Sequence, residues 1–147
     1  MIQDWIELLP HPLSTASAVE FVTASTAGGI AVFVGITRRE AGASGELVAL
    51  EYEAYADMAV EQMHTLVAEA RKRWPLVKTA VLHRVGRVAV TEPSVVIAVS
   101  AEHRGPALKA CGWMIDHLKI HVTIWKQEIW VDGSTSWPGG NVVGPSV

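Results

Sequence analysis

One eight-residue stretch, Gly29-Ile30-Ala31-Val32-Phe33-Val34-Gly35-Ile36, carries no polar side chain and limits what the chain can be. A membrane-spanning helix needs ~20 such residues, so the run is too short to cross a bilayer and reads as a buried strand. Gly28-Gly29 stops any helix before it, and Arg38-Arg39 opens a loop that runs through Gly45.

The flanking sequence alternates helical and strand signals. Ser17-Ala18-Val19-Glu20 has the form of a capping box and predicts a helix from about Ser17 to Ser25. In Val48 to Ala54, Val48, Leu50 and Tyr52 alternate with Ala49, Glu51 and Glu53, which predicts a strand with one wet face. Asp57 is the expected N-cap of a helix over Met58 to Trp74. Met63, Leu66, Val67 and Ala70 fall there at helical spacing, Arg71, Lys72 and Arg73 fill the last turn, and Pro75 stops it. Strands are predicted over Lys78 to Arg84 and Ser94 to Ala101, on either side of a turn-rich segment with Gly86 and Pro93. Gly105-Pro106 predicts a helix start, with Leu108, Cys111, Ile115 and Leu118 along one stripe and an end near Lys119. A last strand, Thr123 to Val131, precedes a Gly/Pro-rich segment from Gly133.

This order predicts a single α+β domain over residues 1–147 with a mixed or antiparallel sheet, and a flexible tail over 138–147. A doubly wound nucleotide fold is disfavoured, because no Gly-x-Gly-x-x-Gly follows a strand and no Walker-type loop is present. Half the residues are hydrophobic and 18% charged, as in ordinary globular domains. A formal net charge of −3 argues against a nucleic-acid partner, so any cationic site must be local. The lone Cys111 cannot form an internal disulfide, and the first residues lack the basic start and apolar core of a signal peptide; the expected location is the cytoplasm, with no membrane association.

The candidate chemistry lies in Leu118-Lys119-Ile120-His121-Val122-Thr123-Ile124-Trp125-Lys126-Gln127-Glu128, which sets two lysines seven residues apart across a helix-to-strand junction. A lysine beside other cations gives up its proton more readily, which suits it to act as a base or nucleophile, and the same cluster attracts phosphate. The bland alternative makes Lys119 a helix C-terminal charge and pairs Lys126 with Glu128. His103-Arg104 lies between a strand and a helix start, where backbone amides favour an anion. Arg38, or its neighbour Arg39, ends the buried strand in a position to clamp a phosphate. Cys111 sits on an apolar stripe and reads as a core residue, so sulfur chemistry would need sulfur from outside. Trp113, Trp125, Trp130 and Trp137 gather in the C-terminal third, either as core and subunit interface or as a platform for a flat heterocycle. The histidines His64, His83, His103, His117 and His121 are read as giving no His-x-x-x-His pair, no Cys-x-x-Cys pair is present, and no metal site is expected.

Several separate motifs occur in order: Phe33-Val34-Gly35-Ile36-Thr37-Arg38, Leu50-Glu51-Tyr52-Glu53-Ala54-Tyr55-Ala56-Asp57-Met58-Ala59, His83-Arg84-Val85-Gly86, Ser100-Ala101-Glu102-His103-Arg104, and Leu118-Lys119 with Ile124-Trp125-Lys126-Gln127-Glu128. With these motifs the chain resembles the large, catalytic subunits of molybdopterin synthase from Gly28 to Trp137. The resemblance implies an α/β hammerhead fold, no cofactor, and conversion of cyclic pyranopterin monophosphate into molybdopterin. It also implies a small ubiquitin-like sulfur-carrier subunit that brings sulfur as a C-terminal thiocarboxylate, and a homodimer of large subunits within a heterotetramer. By position, Lys119 and Lys126 match the catalytic lysines and His103 with Arg104 the substrate-binding pair. Ile36, Thr37, Arg38, Gln127 and Glu128 match positions lining the substrate site. Thr37 replaces a usual valine and Thr123 a usual proline. The rival reading is a non-catalytic module that binds a ubiquitin-like tail or a phosphorylated heterocycle. A third is an α+β domain whose cations are all surface pairs.

Overall fold

A computed structural model describes residues 2–138. Of the expected tail, only Pro138 falls within them. In chain order the elements are β1 (Asp4–Leu9), α1 (Thr15–Val22), β2 (Gly29–Ile36), β3 (Ala41–Gly42), β4 (Gly45–Ala54), α2 (Ala56–Arg73), β5 (Lys78–Arg84), β6 (Gly86–Ala89), β7 (Pro93–Ala101), α3 (Arg104–His121), β8 (Ile124–Trp130) and β9 (Thr135–Ser136).

The strands form two sheets. The first has the order β1-β5-β7-β2, with β1 parallel to β5 and the other neighbours antiparallel. The second has the order β3-β4-β8-β9, with β6 also paired to β4. The expected α+β class with a mixed sheet is therefore found. No helix of the described residues is long and apolar enough to cross a membrane.

The first sheet is covered on both faces, which explains why β7 reads as an unbroken apolar run rather than an alternation. Val96 and Ala98 join Ala80 and Leu82 of β5 against Ala18 and Val22 of α1. Val95, Ile97, Val99 and Ala101 turn the other way into the main core with Met63, Leu66 and Val67 of α2 and Ala107, Cys111, Met114 and Leu118 of α3. Asp4 ties β1 to the end of α2, accepting from Arg71 Nη2 at 2.7 Å and Thr79 Oγ1 at 2.7 Å.

The structure corrects several sequence expectations. The first helix is capped by Ser14, whose hydroxyl accepts from the Ser17 amide, so Ser17 and Glu20 form no capping box. The sequence offers two serines three apart. Leu13, buried with Ala18 in one cluster, fixes the earlier as the cap, as a staple does across a helix start. Tyr55, not Asp57, is the N-cap of α2; Asp57 lies in the first turn, where its charge still complements the helix dipole. His103 caps α3, so Pro106 falls third in the helix, still within the turn whose amides have no intrahelical acceptor. Leu108 is 61% exposed and leaves the stripe, which runs through Ala107, Ala110, Cys111, Met114, Ile115 and Leu118. Ala49 is fully buried despite its expected wet position, because the register of β4 against β8 shifts between Leu47 and Ala49. Strands β1, β3, β6 and β9 were not expected. Gly86, at φ 89°, makes the turn from which β6 departs, a conformation few other residues accept.

Candidate active site

Where the end of the first sheet meets α3 and the second sheet, the chain leaves a cavity of about 440 Å³. Phe33, Gly35, His83 and Val95 come from the first sheet, Ile115 and Lys119 from α3, and Tyr52, Lys126 and Glu128 from the second. Arg38 and Glu40 reach it from the loop after β2. The cross-strand pairs Tyr52–Lys126 and Leu50–Glu128 show why these residues share a face: period-two alternation puts both pairs on the cavity side of the second sheet.

Lys119 is carried by the last turn of α3 and Lys126 by the middle of β8, two rigid elements joined by a short turn. Gln62 of α2 holds that turn, donating to Thr123 Oγ1 at 3.1 Å and accepting from the Thr123 amide at 2.7 Å. Among the described residues neither lysine belongs to an ion pair, so the expected alternative of a Lys126–Glu128 pair is not formed. Burial holds Lys126 below the usual lysine range and the charge of Lys119 adds to this, while Glu40 and Glu128 oppose it. Glu128 is itself oriented, accepting at 2.9 Å from Ser136, whose hydroxyl accepts at 2.7 Å from the Trp130 indole.

The two arginines after β2 diverge. Arg38 lines the cavity, mostly exposed, and contacts Glu40 at 3.1 Å. Arg39 pairs with Glu46 at 2.6 Å and is not among the lining residues. Ile36 lines the cavity. Thr37 does not: it is 2% exposed, donates to the Val88 carbonyl at 3.4 Å, and its backbone bonds to Glu92 and Thr91. It fastens the base of the Arg38 loop. Gln127, one residue out of phase with Lys126 and Glu128, points to the other face of the second sheet.

His103 and Arg104 are exposed at the opposite end of α3 from Lys119. Fifteen residues of helix separate Arg104 from Lys119, roughly 22 Å along the axis. A single copy of the chain does not bring them to the lysines.

Sequence reasoning missed Tyr52, His83, Ser94 and Glu40 as cavity residues. Tyr52 was detectable only by pairing β4 with β8; Glu40 follows the arginines directly. Burial raises the Tyr52 hydroxyl above its ordinary range, and the nearby Ser94 hydroxyl partly offsets this. His83, read as a structural strand residue, is 1% exposed and packs its ring at 5.0 Å from that of Tyr52. Cys111 is buried in the core, and desolvation pushes its thiol up to about 11, as a structural cysteine requires. No tryptophan lines the lysine cavity: Trp113 packs on Trp74 and His117, and Trp125 on Tyr55. Contrary to the sequence reading, His117 and His121 do form a His-x-x-x-His pair on α3. Their rings stack at 5.7 Å, and among the described residues no cluster of three or more His, Cys, Asp or Glu completes a site.

A lysine-lined cavity carried by these motifs is what the sequence resemblance implies, and comparison with known proteins decides the family. The model of the MoaE protein family matches residues 8–121. The chain belongs to the MoaE family. It is 41% identical to the molybdopterin synthase catalytic subunit of Bos taurus, covering 92% of this chain and 71% of that one. It is 39% identical to that of Thermoplasma volcanium, covering 93% and 99%. The crystal structure of molybdopterin synthase from Staphylococcus aureus superposes with a TM-score of 0.85 at 34% identity, over 95% of this chain and 98% of that one. A Helicobacter pylori chain, solved in the complex of subunits 1 and 2 of molybdopterin-converting factor, shares the fold at 20% identity and a TM-score of 0.75.

Proposed function

We propose that this MoaE-family chain is the sulfur-inserting subunit that converts cyclic pyranopterin monophosphate into molybdopterin, in the cytoplasm. Sulfur comes from the thiocarboxylated C-terminus of a small ubiquitin-like subunit, the partner that the sequence resemblance implies, and the H. pylori chain was solved in a complex of two subunits. The observation that carries this reading is the pair Lys119 and Lys126, set on two rigid elements around one cavity and, among the described residues, in no ion pair.

Each residue then has a task. Arg38, on the rim, takes the cyclic phosphate. Lys119 is the proton-transfer group or transient nucleophile at the reacting carbons. Lys126 stabilises the thiocarboxylate and the charged intermediate from the half-buried floor, where low polarity strengthens the interaction. Glu128, held by Ser136, places a negative charge on the same cavity face as Lys126 without pairing with it, and Ile36 walls the entrance. Thr37 and Gln127 support the loop and the sheet from behind. The one buried cysteine is outside this chemistry, which fits a subunit that positions sulfur rather than carrying it.

His103 and Arg104 enter the site from a second copy. Within one chain α3 holds the pair about 22 Å along its axis from Lys119, and this supports a site completed by the second copy that the sequence resemblance implies. A reaction of the chain with thiocarboxylated small subunit and cyclic pyranopterin monophosphate tests the proposal. Formation of the dithiolene product supports it; binding of both partners without product supports a non-catalytic module.

A further inference from the structure

The floor of the lysine cavity contains a polar group without a partner. His83 Nδ1 lies 2.8 Å from the Arg84 carbonyl oxygen. A carbonyl only accepts, so Nδ1 carries the proton and Nε2 presents a lone pair. Nε2 is buried and, among the described residues, has no hydrogen-bond partner. Such an orphan is costly and rare in a well-packed interior, and at a cavity wall it points to a group that arrives with a ligand.

The other lining groups show what kind of ligand group it fits. Arg38, Lys119 and Lys126 are donors and suit phosphate and carbonyl oxygens. The acceptors are mostly engaged: Glu40 receives Arg38 and Glu128 receives Ser136. The Ser94 hydroxyl donates to the Gly35 carbonyl at 3.4 Å. Among the buried side-chain atoms of the described residues, His83 Nε2 is the one acceptor without a hydrogen-bond partner. Burial, reinforced by the charge of Lys126, lowers the imidazole to about 4, so the ring stays neutral and keeps its lone pair at ordinary pH. That makes it a hydrogen-bond acceptor rather than a base. Tyr52, packed edge-on at 5.0 Å and paired across the strands with Lys126, holds the ring beside the catalytic lysine.

We propose that His83 is a further substrate-binding residue of this site, its Nε2 accepting a hydrogen bond from an N–H group of the bound reduced pterin. This rests on the substrate reading above. It gives the cavity a division of labour: cations on the rim and wall take the anionic and carbonyl oxygens, and the neutral imidazole at the floor takes the donor edge of the heterocycle. A ligand of similar charge without that donor edge loses this contact.

Equilibrium binding of cyclic pyranopterin monophosphate to the wild-type chain, His83→Gln and His83→Phe tests the proposal. Phenylalanine keeps the ring and removes the acceptor, and Kd is expected to rise about tenfold. Glutamine restores an acceptor oxygen and is expected to stay within about threefold of wild type. Equal Kd for wild type and His83→Phe overturns the proposal, as does equal weakening in both variants. The 15N resonance of His83 Nε2 in the wild-type chain gives a second readout that needs no folded variant. An upfield move on ligand addition supports the bond. An unmoved resonance, while Lys126 signals respond, overturns it. Failure of the wild-type chain to bind the ligand at all overturns the substrate reading itself, and this inference with it.

Discussion

Gln62 and Thr123 exchange two hydrogen bonds, amide oxygen to backbone N–H at 2.7 Å and amide N–H to hydroxyl at 3.1 Å, across the turn that separates Lys119 from Lys126. Threonine at this position has a structural use: a proline would offer neither the N–H nor the hydroxyl that Gln62 engages. Gln62→Ala leaves the Thr123 amide without its side-chain acceptor and is expected to cost about 1–2 kcal/mol in denaturant unfolding. Thr123→Val keeps the backbone bond and is expected to lose less. Equal stability of wild type and Gln62→Ala contradicts this role for the clasp.

The lysines are coupled by charge as well as by the turn. Lys119 is a like charge that helps hold Lys126 below the usual lysine range, so its replacement by methionine raises the Lys126 pKa toward that range. An NMR titration of the Lys126 side chain in the two proteins checks the direction. An unchanged or lower value means that the two ammonium groups do not interact.

His83 imposes a pH dependence on folding. The folded chain keeps the ring neutral down to about 4, whereas the unfolded chain takes up the proton near the ordinary histidine value of 6.5. In that window the unfolded state binds more protons, so stability is lost as pH falls and the loss levels off below the folded value. From pH 7.5 to pH 5 the loss from this group is about 2 kcal/mol. The lowered carboxyls of Glu69, Glu92 and Asp132 titrate below this range and leave it to His83. Urea unfolding at both pH values should show a flatter dependence in His83→Gln than in wild type. Parallel curves exclude His83 as the source.

The reading of His103 and Arg104 as contributions from a second copy predicts complementation. Lys119→Ala and Arg104→Ala chains are each expected to be inactive alone. Unfolded and refolded together, half of the dimers are mixed, and each mixed dimer holds one intact site, so about a quarter of wild-type activity returns. Measuring product against mixing ratio checks this. No recovery, with mixed dimers shown to form, places the pair outside the shared site.

The sequence made one part of this site readable and concealed the other for definite reasons. Lys119 and Arg38 sit at or just past the ends of strongly patterned elements, where local sequence marks position well, and Lys126 lies inside the aromatic, β-branched run that becomes β8. His103-Arg104 was located correctly at a strand-to-helix junction, but spacing along the chain does not say which end of a helix a cavity occupies. Tyr52 and His83 belong to strands that meet the lysines only through pairing between distant segments, and local pattern cannot see such pairing. Strand β1 escaped notice because Asp4 and Glu7 interrupt its apolar pattern, yet Asp4 is what anchors it to Arg71 and Thr79. The short strands β6 and β9 have too few residues to establish a period.

The most direct test of the account is a single-turnover sulfur-transfer reaction with thiocarboxylated small subunit and cyclic pyranopterin monophosphate. Wild type, Lys119→Ala and Lys126→Ala are compared, with binding of the small subunit measured on the same samples. The account predicts that Lys119→Ala binds its partner normally and loses dithiolene formation by about a hundredfold or more, with a smaller loss in Lys126→Ala. Full turnover by Lys119→Ala with its partner bound would contradict it.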